Sequence, residues 1–401
     1  MSALIIGSGI LGSSISYHLT RSTGLLTTLI DAAQPSTCAT SRSAGMILQS
    51  GSKEKIECAK GTISDIKELS KELSDDLSFK QTGTYKISWT PENVSQLKSD
   101  YETTKKSGVN IKYVPTELTR SEMPYLSIPS SSLITYTPLD GYIDPVILAS
   151  SYILSARRAG LKTKFNTNVI RIGEEGEVEL STGEIEKYDH IIDATGIWAG
   201  MLGYDSLGLS PLHFSTVRSH YWITQPSIQF NKTVPNIILP DIGVYIRDYN
   251  GGIILGVQEE NSLTWDRRLL NVDDESHGFL NSRESEGMKC LEERYEDIEK
   301  ILPGISELEF KSYVPGWSSY TIDGKYILGE QGQNIYVASG CNGSGVSGAG
   351  GIGRIVKEGV MGGGWGEFDL RMFEGVEEDV FGEEFRNKCA RARMKKFQAK
   401  E

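Results

Sequence analysis

Apolar residues from Ala3 to Ile6 form a short run that ends in glycine, and Ile10, Leu11, Ile15 and Leu19 then recur at helical spacing. The next apolar run, LLTTLI, reads as a second strand and stops at Asp31. Between 51 and 78, Ile56, Ile63, Ile66, Leu69 and Leu73 are separated by polar residues, which predicts a long amphipathic helix or a pair of them. QTGTYKISW near 81–89 alternates with period two and predicts a strand, while PENVSQLKSDYETTKKSG predicts a helix ended by Gly108. In 139–160 a loop and a turn at Asp144-Pro145 lead into another helix. From Pro211 to about 310, SHYWIT, GVYIRDY and GIILGVQ predict an antiparallel sheet, with a helix near 282–301.

The first strand–helix junction carries chemistry. Gly7, Gly9 and Gly12 spell G-x-G-x-x-G around Ile10 and Leu11, and Asp31 follows Gly12 by 19 residues at the end of the second strand. In that context Gly7 makes a tight turn, Gly9 admits backbone to a pyrophosphate, and Gly12 lets helix and strand pack closely. The helix N-terminus then presents partial positive charge to the phosphates, and Asp31 accepts from the adenosine ribose. The pattern predicts dinucleotide binding; NAD and FAD both satisfy it.

Bulk properties narrow the class. The 401 residues suffice for two domains, which need not be sequential. The formal charge of −12 argues against nucleic-acid binding. Cys38, Cys58, Cys290, Cys341 and Cys389 form no C-x-x-C pair, which suits a reduced compartment and no structural zinc. Because the first residues already read as a core strand, and no apolar run reaches 18 residues, the expectation is a cytoplasmic protein without a targeting or membrane-spanning segment. G-x-S-x-G, H-E-x-x-H and Walker A motifs are all missing, and His18, His190, His213, His220 and His277 lack metal-ligand spacing.

Four further stretches occur in order: CATSRSAGMI at 38–47, YDHIIDATGIWAG around Asp193, PGWSSYTIDGKYILG from Pro315, and NIYVASGCNGSGVSGAGGIG after it. Together with the first turn they resemble the FAD-dependent D-amino-acid oxidase / sarcosine oxidase superfamily over about residues 1 to 362. In local motifs they look most like dimethylglycine and sarcosine dehydrogenases. The resemblance implies an α/β fold: a Rossmann-like FAD-binding domain of the glutathione-reductase type, interleaved with an α+β substrate domain built on an antiparallel sheet. The FAD-binding domain takes 1–80, 140–210 and 311–362, the substrate domain 81–139 and 211–310, and a C-terminal extension 363–401.

By the same resemblance, Ser41, Arg42, Ser43, Ala44, Gly45 and Met46 line the pyrophosphate and the isoalloxazine edge. Val169 lies beside the adenine, and Ala194, Thr195, Gly196 and Trp198 carry the chain close to the cofactor. Gly316 is a further cofactor-binding position, and the late turn Gly340, Asn342, Gly343, Ser344 and Gly345 aims N–H groups at the flavin pyrimidine, favouring its negative charge on reduction. Gly343, Gly345 and Gly348 also spell G-x-G-x-x-G, which read literally would make a second dinucleotide site and an NAD(P)H-linked reductase. VMGGGWGEFDL, which follows, is too glycine-rich for the strand that such a site requires.

The implied chemistry is oxidation of a C–N bond in a small amine or amino acid (secondary, cyclic or D-) by hydride transfer to flavin N5, giving an imine, with oxygen or another carrier as acceptor. It requires positioning and water exclusion more than an acid–base pair. Tyr245 is the expected substrate tyrosine and Arg247 a fork for its carboxylate, with His220 on the preceding strand lining the same cavity. Three departures stand out. Trp317 occupies the place of a carboxylate-binding arginine and offers an aromatic face to an amine. Ser318 replaces the cysteine that tethers FAD in monomeric sarcosine oxidases, and Ser41-Arg42-Ser43 lacks the histidine of the histidine-linked dehydrogenases, so FAD is expected to be noncovalent. Ile254 stands where sarcosine oxidase has its oxygen-activating lysine, which favours a dehydrogenase. The alternatives are a 2-hydroxy-acid dehydrogenase with His220 as base, and a non-catalytic flavoprotein used for assembly or partner binding. The tail turns from acidic (Glu374, Glu377, Glu378, Asp379, Glu383, Glu384) to basic (Arg386, Lys388, Arg391, Arg393, Lys395, Lys396, Lys400). It reads as a solvated terminal helix or as a docking surface for a partner or anionic lipid.

Overall fold

The computed structural model describes residues 1–230, 232–259, 262–270, 284–366 and 379–395. Its first sheet has six strands in the order Ile327–Gly332, Ile335–Ser339, His190–Asp193, Ser2–Ile6, Leu26–Ile30 and Lys162–Lys164. Five of them run parallel and Ile327–Gly332 is the antiparallel edge. Parallel neighbours need crossovers, and the helix Ile10–Ser22 supplies the first, between Ser2–Ile6 and Leu26–Ile30. A sheet covered on both faces tolerates continuous apolar strands, and Ala3, Leu4 and Ile5 are fully buried. A small three-stranded sheet covers one face, placing Val169, Ile172 and Val178 against Leu4, Ile6 and Ile30.

The helices Ile10–Ser22, Lys53–Leu73, Pro145–Arg158 and Gly345–Val360 cover the other face. Residues 51–78 thus hold one long helix rather than a pair. The last of the four helices packs by backbone. A Cβ on Gly351 would fall 2.2 Å from Cys58 Cα, and one on Gly353 would fall 2.5 Å from Ser14 Oγ. At the crossing, fully buried Asp65 accepts from Tyr152 Oη at 2.8 Å and pairs with His18 and Arg354. These contacts account for the second glycine motif, since a Cβ on Gly348 would meet Tyr326 Oη at 2.6 Å. Residues 361–366 form a turn and 367–370 lie outside the described residues, so among the latter no strand completes a second nucleotide fold.

The second sheet has nine strands. Ser215–Thr224, Gly252–Val257, Val244–Tyr249 and Asn236–Leu239 follow one another antiparallel, then Thr84–Ser88 joins in parallel, followed by Leu133–Thr137 and Lys112–Tyr113. The predicted antiparallel sheet therefore contains one parallel pair. It arises where two separate chain segments meet, with the nucleotide-binding stretch between them acting as the crossover. Residues 311–320, grouped above with the FAD-binding part, lie in the strand Phe310–Tyr320 and pair with Ser215–Thr224 in this sheet.

The tail differs from a solvated helix. Glu383–Lys395 buries Phe385, Cys389 and Ala390 against Val217 and Tyr320, because these apolar positions fall on one helical face. Glu374, Glu377, Glu378, Lys396 and Lys400 lie outside the described residues. No described helix is long and apolar enough to cross a membrane.

At the junction between the two larger sheets, Met46–Ile47 pairs with Gly141–Tyr142 as a separate two-stranded ribbon. Beside that pair Asp140, 1% exposed, accepts at Oδ1 from Gln49 N (3.0 Å) and Gln49 Nε2 (3.2 Å), and its carbonyl accepts from Gly83 N. Burial outweighs these bonds and pushes the carboxyl up to about 7.

Two predictions follow from the packing and this junction. Gly351→Ala should lower stability by about 1–3 kcal/mol, read by denaturant titration, because the Cys58 backbone cannot yield. Asp140 holds its proton in the fold up to about pH 7 but releases it near pH 4 when unfolded, so it subtracts stability as pH rises through that window. Asp140→Asn, which keeps an acceptor for Gln49, should match wild type at pH 4 and exceed it by roughly 2–4 kcal/mol at pH 8.

Candidate functional site

At the carboxyl end of Ser2–Ile6 the backbone turns with Gly7 at φ +99°, where a Cβ would lie 2.6 Å from Ala194 O. A Cβ on Gly12 would lie 1.8 Å from Gly7 O. Both glycines are demanded by close approach, as the motif predicts. Gly9 caps the helix Ile10–Ser22, and a Cβ there meets only Thr40 Oγ1 within 4 Å. Thr40 Oγ1 accepts the Ile10 N–H at 2.9 Å. Leu11 is core, so any contact with a ligand is through its backbone. Asp31 stands at the end of its strand, but its carboxylate accepts from Ser8 N, Ser8 Oγ and Ala33 N at 2.6–2.9 Å. It fixes the turn as well as bordering it.

Ala194 donates its N–H to Ile6 O at 2.8 Å, and Thr195 bonds to buried Asp193 through N and Oγ1. Gly196 (φ +67°) faces open space, a place where backbone can meet a ligand without a side chain between. Trp198 donates to Leu270 O at 2.8 Å and Val169 is packed in the small-sheet core, so those side chains serve the scaffold. In the late turn, Gly340 and Gly343 have φ of +64° and +67°. Asn342 donates to Lys325 O and Gly340 O and accepts from Thr321 N, so its side chain shapes the turn from within. Ser344 and Gly345 open the helix Gly345–Val360.

A cavity of about 580 Å³ lies between these turns and the large sheet, within the range of small-molecule sites. Ile10, Arg42, Ser43, Ala44, Gly45 and Met46 line it together with Gly343, Ser344 and Gly345, so one space touches both helix N-termini. The opposite wall is Gly316, Trp317, Ser318 and Tyr320 with His220, Tyr221 and Tyr245. The Tyr245 ring lies across Gly256, where a Cβ would come within 1.9 Å of its Cζ. Burial raises the Tyr245 hydroxyl far above its ordinary range and pushes Tyr221 up to about 12, so both stay protonated. Ile254 packs with Ala44 and Tyr221, making that corner apolar.

Three predicted substrate residues sit differently from expectation. Arg247 is not part of the cavity lining: Nε donates to Ala44 O at 2.6 Å, Nη1 donates to Asp248 O at 2.7 Å, and the guanidinium lies 4.4 Å from the Tyr142 ring centroid. Two residues from Tyr245 on the same strand, Arg247 shares its face, and its bond to Ala44 O ties the strand to the loop that borders the cavity. His220 borders the cavity, yet Nδ1 engages Tyr313 Oη (2.9 Å) and Nε2 engages Glu259 (3.2 Å) and Cys290 (3.3 Å). Both nitrogens are held within the protein. Trp317, 2% exposed, packs against Ile197, Trp198 and Leu270 and offers the cavity only a margin.

Sequence reasoning missed Gln258, Glu259 and Arg393. Gln258 lines the cavity, and its Oε1 is buried without a hydrogen-bond partner among the described residues. Glu259, 6% exposed, pairs with Arg218 (3.9 Å), His220 and Arg393 (3.4 Å). Burial alone would raise its carboxyl, but Arg393 and then His220 hold it at about 2. No spacing links residues 134 positions apart.

The open face of Gly196, and a cavity spanning both helix N-termini, fit one extended ligand with a pyrophosphate and a ring system, as FAD has. Comparison with known proteins agrees. The chain is 24% identical over 369 residues to the mitochondrial pyruvate dehydrogenase phosphatase regulatory subunit of Mus musculus, covering 88% of this chain and 40% of that protein. It is 25% identical over 377 residues to the mitochondrial dimethylglycine dehydrogenase of Rattus norvegicus, covering 89% and 42%. The chain thus spans about 40% of the length of these curated relatives. Among solved structures, L-proline dehydrogenase from P. horikoshii superposes with a TM-score of 0.80 at 24% identity, covering 92% of this chain and 97% of that one. A family model described as FAD dependent oxidoreductase matches residues 2–358. The chain belongs to that family of FAD-dependent oxidoreductases.

Proposed function

We propose that the chain oxidises the C–N bond of a small amine or amino acid to an imine, using FAD held without a covalent link. The observation that carries this reading is the single cavity shared by both helix N-termini and a wall of Tyr221, Tyr245 and Tyr320. When bound, FAD supplies the acceptor for a hydride. The chain's own residues supply placement. Ala44, Tyr221 and Ile254 keep water from the reacting carbon, Tyr245 closes over the substrate, and the Gln258 carbonyl accepts an N–H of its amine. A neutral amine needs no base for this step, which suits a wall whose tyrosines remain protonated.

The 2-hydroxy-acid reading fares worse, because removing a hydroxyl proton needs a base and both His220 nitrogens are engaged elsewhere. Apolar Ile254 favours an acceptor other than oxygen. A regulatory role without turnover is the second reading, prompted by the mouse regulatory subunit.

Anaerobic titration of the FAD-loaded protein with N-methyl, cyclic, D- and L-amino acids should bleach the flavin with at least one of them. Bleaching by 2-hydroxy acids alone, or by nothing in the panel, overturns the proposal. After acid precipitation the yellow colour should stay in the supernatant, since Ser318 offers no thiol for a link; a coloured pellet would refute the noncovalent assignment.

A further inference from the structure

The buried group around Glu259 is the part of the cavity wall that the reading above leaves unused. His220, Glu259 and Cys290 bring three potential metal-ligand atoms within 4.8 Å of one another. Their surroundings suit an anion better than a cation. Two guanidiniums, Arg218 and Arg393, stand within 4 Å of the Glu259 carboxylate, and burial pushes the Cys290 thiol up to about 12, away from the thiolate that a metal requires.

Arg393 is 3% exposed, lines the cavity and approaches Tyr320, its guanidinium carbon 5.8 Å from that ring's centroid. Its charge acts on Tyr245 more strongly than that of Arg247 does. Both of its polar contacts among the described residues use one nitrogen, Nη1: it donates to Ser262 Oγ at 2.5 Å and pairs with Glu259 at 3.4 Å. Nε is buried and has no hydrogen-bond partner among the described residues. The Glu259 carboxylate is shared with Arg218 and His220, so it neutralises Arg393 only in part. A guanidinium held at one nitrogen, with Nε unpaired on a residue that lines a substrate-sized space, keeps hydrogen-bonding capacity for a carboxylate.

We propose that Arg393, carried into the cavity by the C-terminal helix Glu383–Lys395, binds the carboxylate of an amino-acid substrate in place of the arginine that Trp317 lacks. This rests on the amine-oxidation reading and narrows it to substrates that carry a carboxylate. It also makes the tail, beyond the residues 2–358 matched by the family model, part of the binding site. Phe385 and Cys389, packed on Val217 and Tyr320, seat the helix, and Glu259 and Ser262 fix the guanidinium. Arg393 is a specificity residue, while Glu259 positions it.

The test compares Arg393→Met and Arg393→Lys with wild type as FAD-loaded proteins. For a substrate amino acid and the amine lacking its carboxylate, the ratio of kcat/KM values should fall about 100-fold in Arg393→Met, with part of the loss recovered in Arg393→Lys. Dissociation constants for acetate and benzoate, which cannot be oxidised here, are read from the flavin spectrum and should rise about tenfold or more in Arg393→Met. If Arg393→Met does not fold, the double variant Glu259→Gln/Arg393→Met, neutral at both positions, carries the same comparison. An unchanged ratio, or unchanged acetate and benzoate binding, overturns the clamp. Failure of every amine to reduce the flavin, with anion binding still dependent on Arg393, removes the oxidation reading and leaves the anion site standing.

Discussion

The architecture depends on backbone meeting backbone where no side chain intervenes. Gly12 packs on Gly7, Gly7 on Ala194, and Gly351 on the helix carrying Cys58. Each contact brings peptide groups closer than any Cβ allows, and the two helices that begin at Gly9 and Ser344 are thereby drawn to one cavity. Their N-termini add partial positive charge, so the cavity favours an anionic ligand from both ends. The helix crossing is further pinned by Asp65, whose buried charge is met by Arg354 and by the Tyr152 hydroxyl.

The second constraint is the seam between the sheets. Arg247 bonds to the carbonyl of Ala44, and Gln49 bonds to Asp140, so the loop bordering the cavity is held from the side of the large sheet. A residue expected to seize substrate thus fixes the cavity wall instead. A guanidinium this buried requires acceptors on more than one side, and the carbonyls of Ala44 and Asp248 supply them.

Much of the first half was legible because its signals are local. An apolar run, a glycine turn, a helix and a strand ending in acid describe one another over some thirty residues, and the structure forms each of them there. The strands Ser215–Thr224, Val244–Tyr249 and Gly252–Val257 were visible from alternation. The pairing of Phe310–Tyr320 with the large sheet was not, since a strand's pattern gives its faces but not its neighbour. The tail misled for a similar reason. Its run of charge hides Phe385, Cys389 and Ala390 on one face, which acquires meaning only when Val217 and Tyr320 are there to receive it.

By itself, the sequence determined the nucleotide turn, the likeness to a flavoprotein family and the tyrosine at the cavity, because glycine conformation and strand alternation are properties of neighbouring residues. Tertiary structure alone decided which of two cations lines the cavity: Arg393 and not Arg247. Arg247 and Arg393 are equally charged in the sequence; burial among carbonyls assigned one to the seam, and a helix seated on the far sheet carried the other to Glu259. Charge is written residue by residue, but what it faces depends on contacts between segments more than a hundred residues apart.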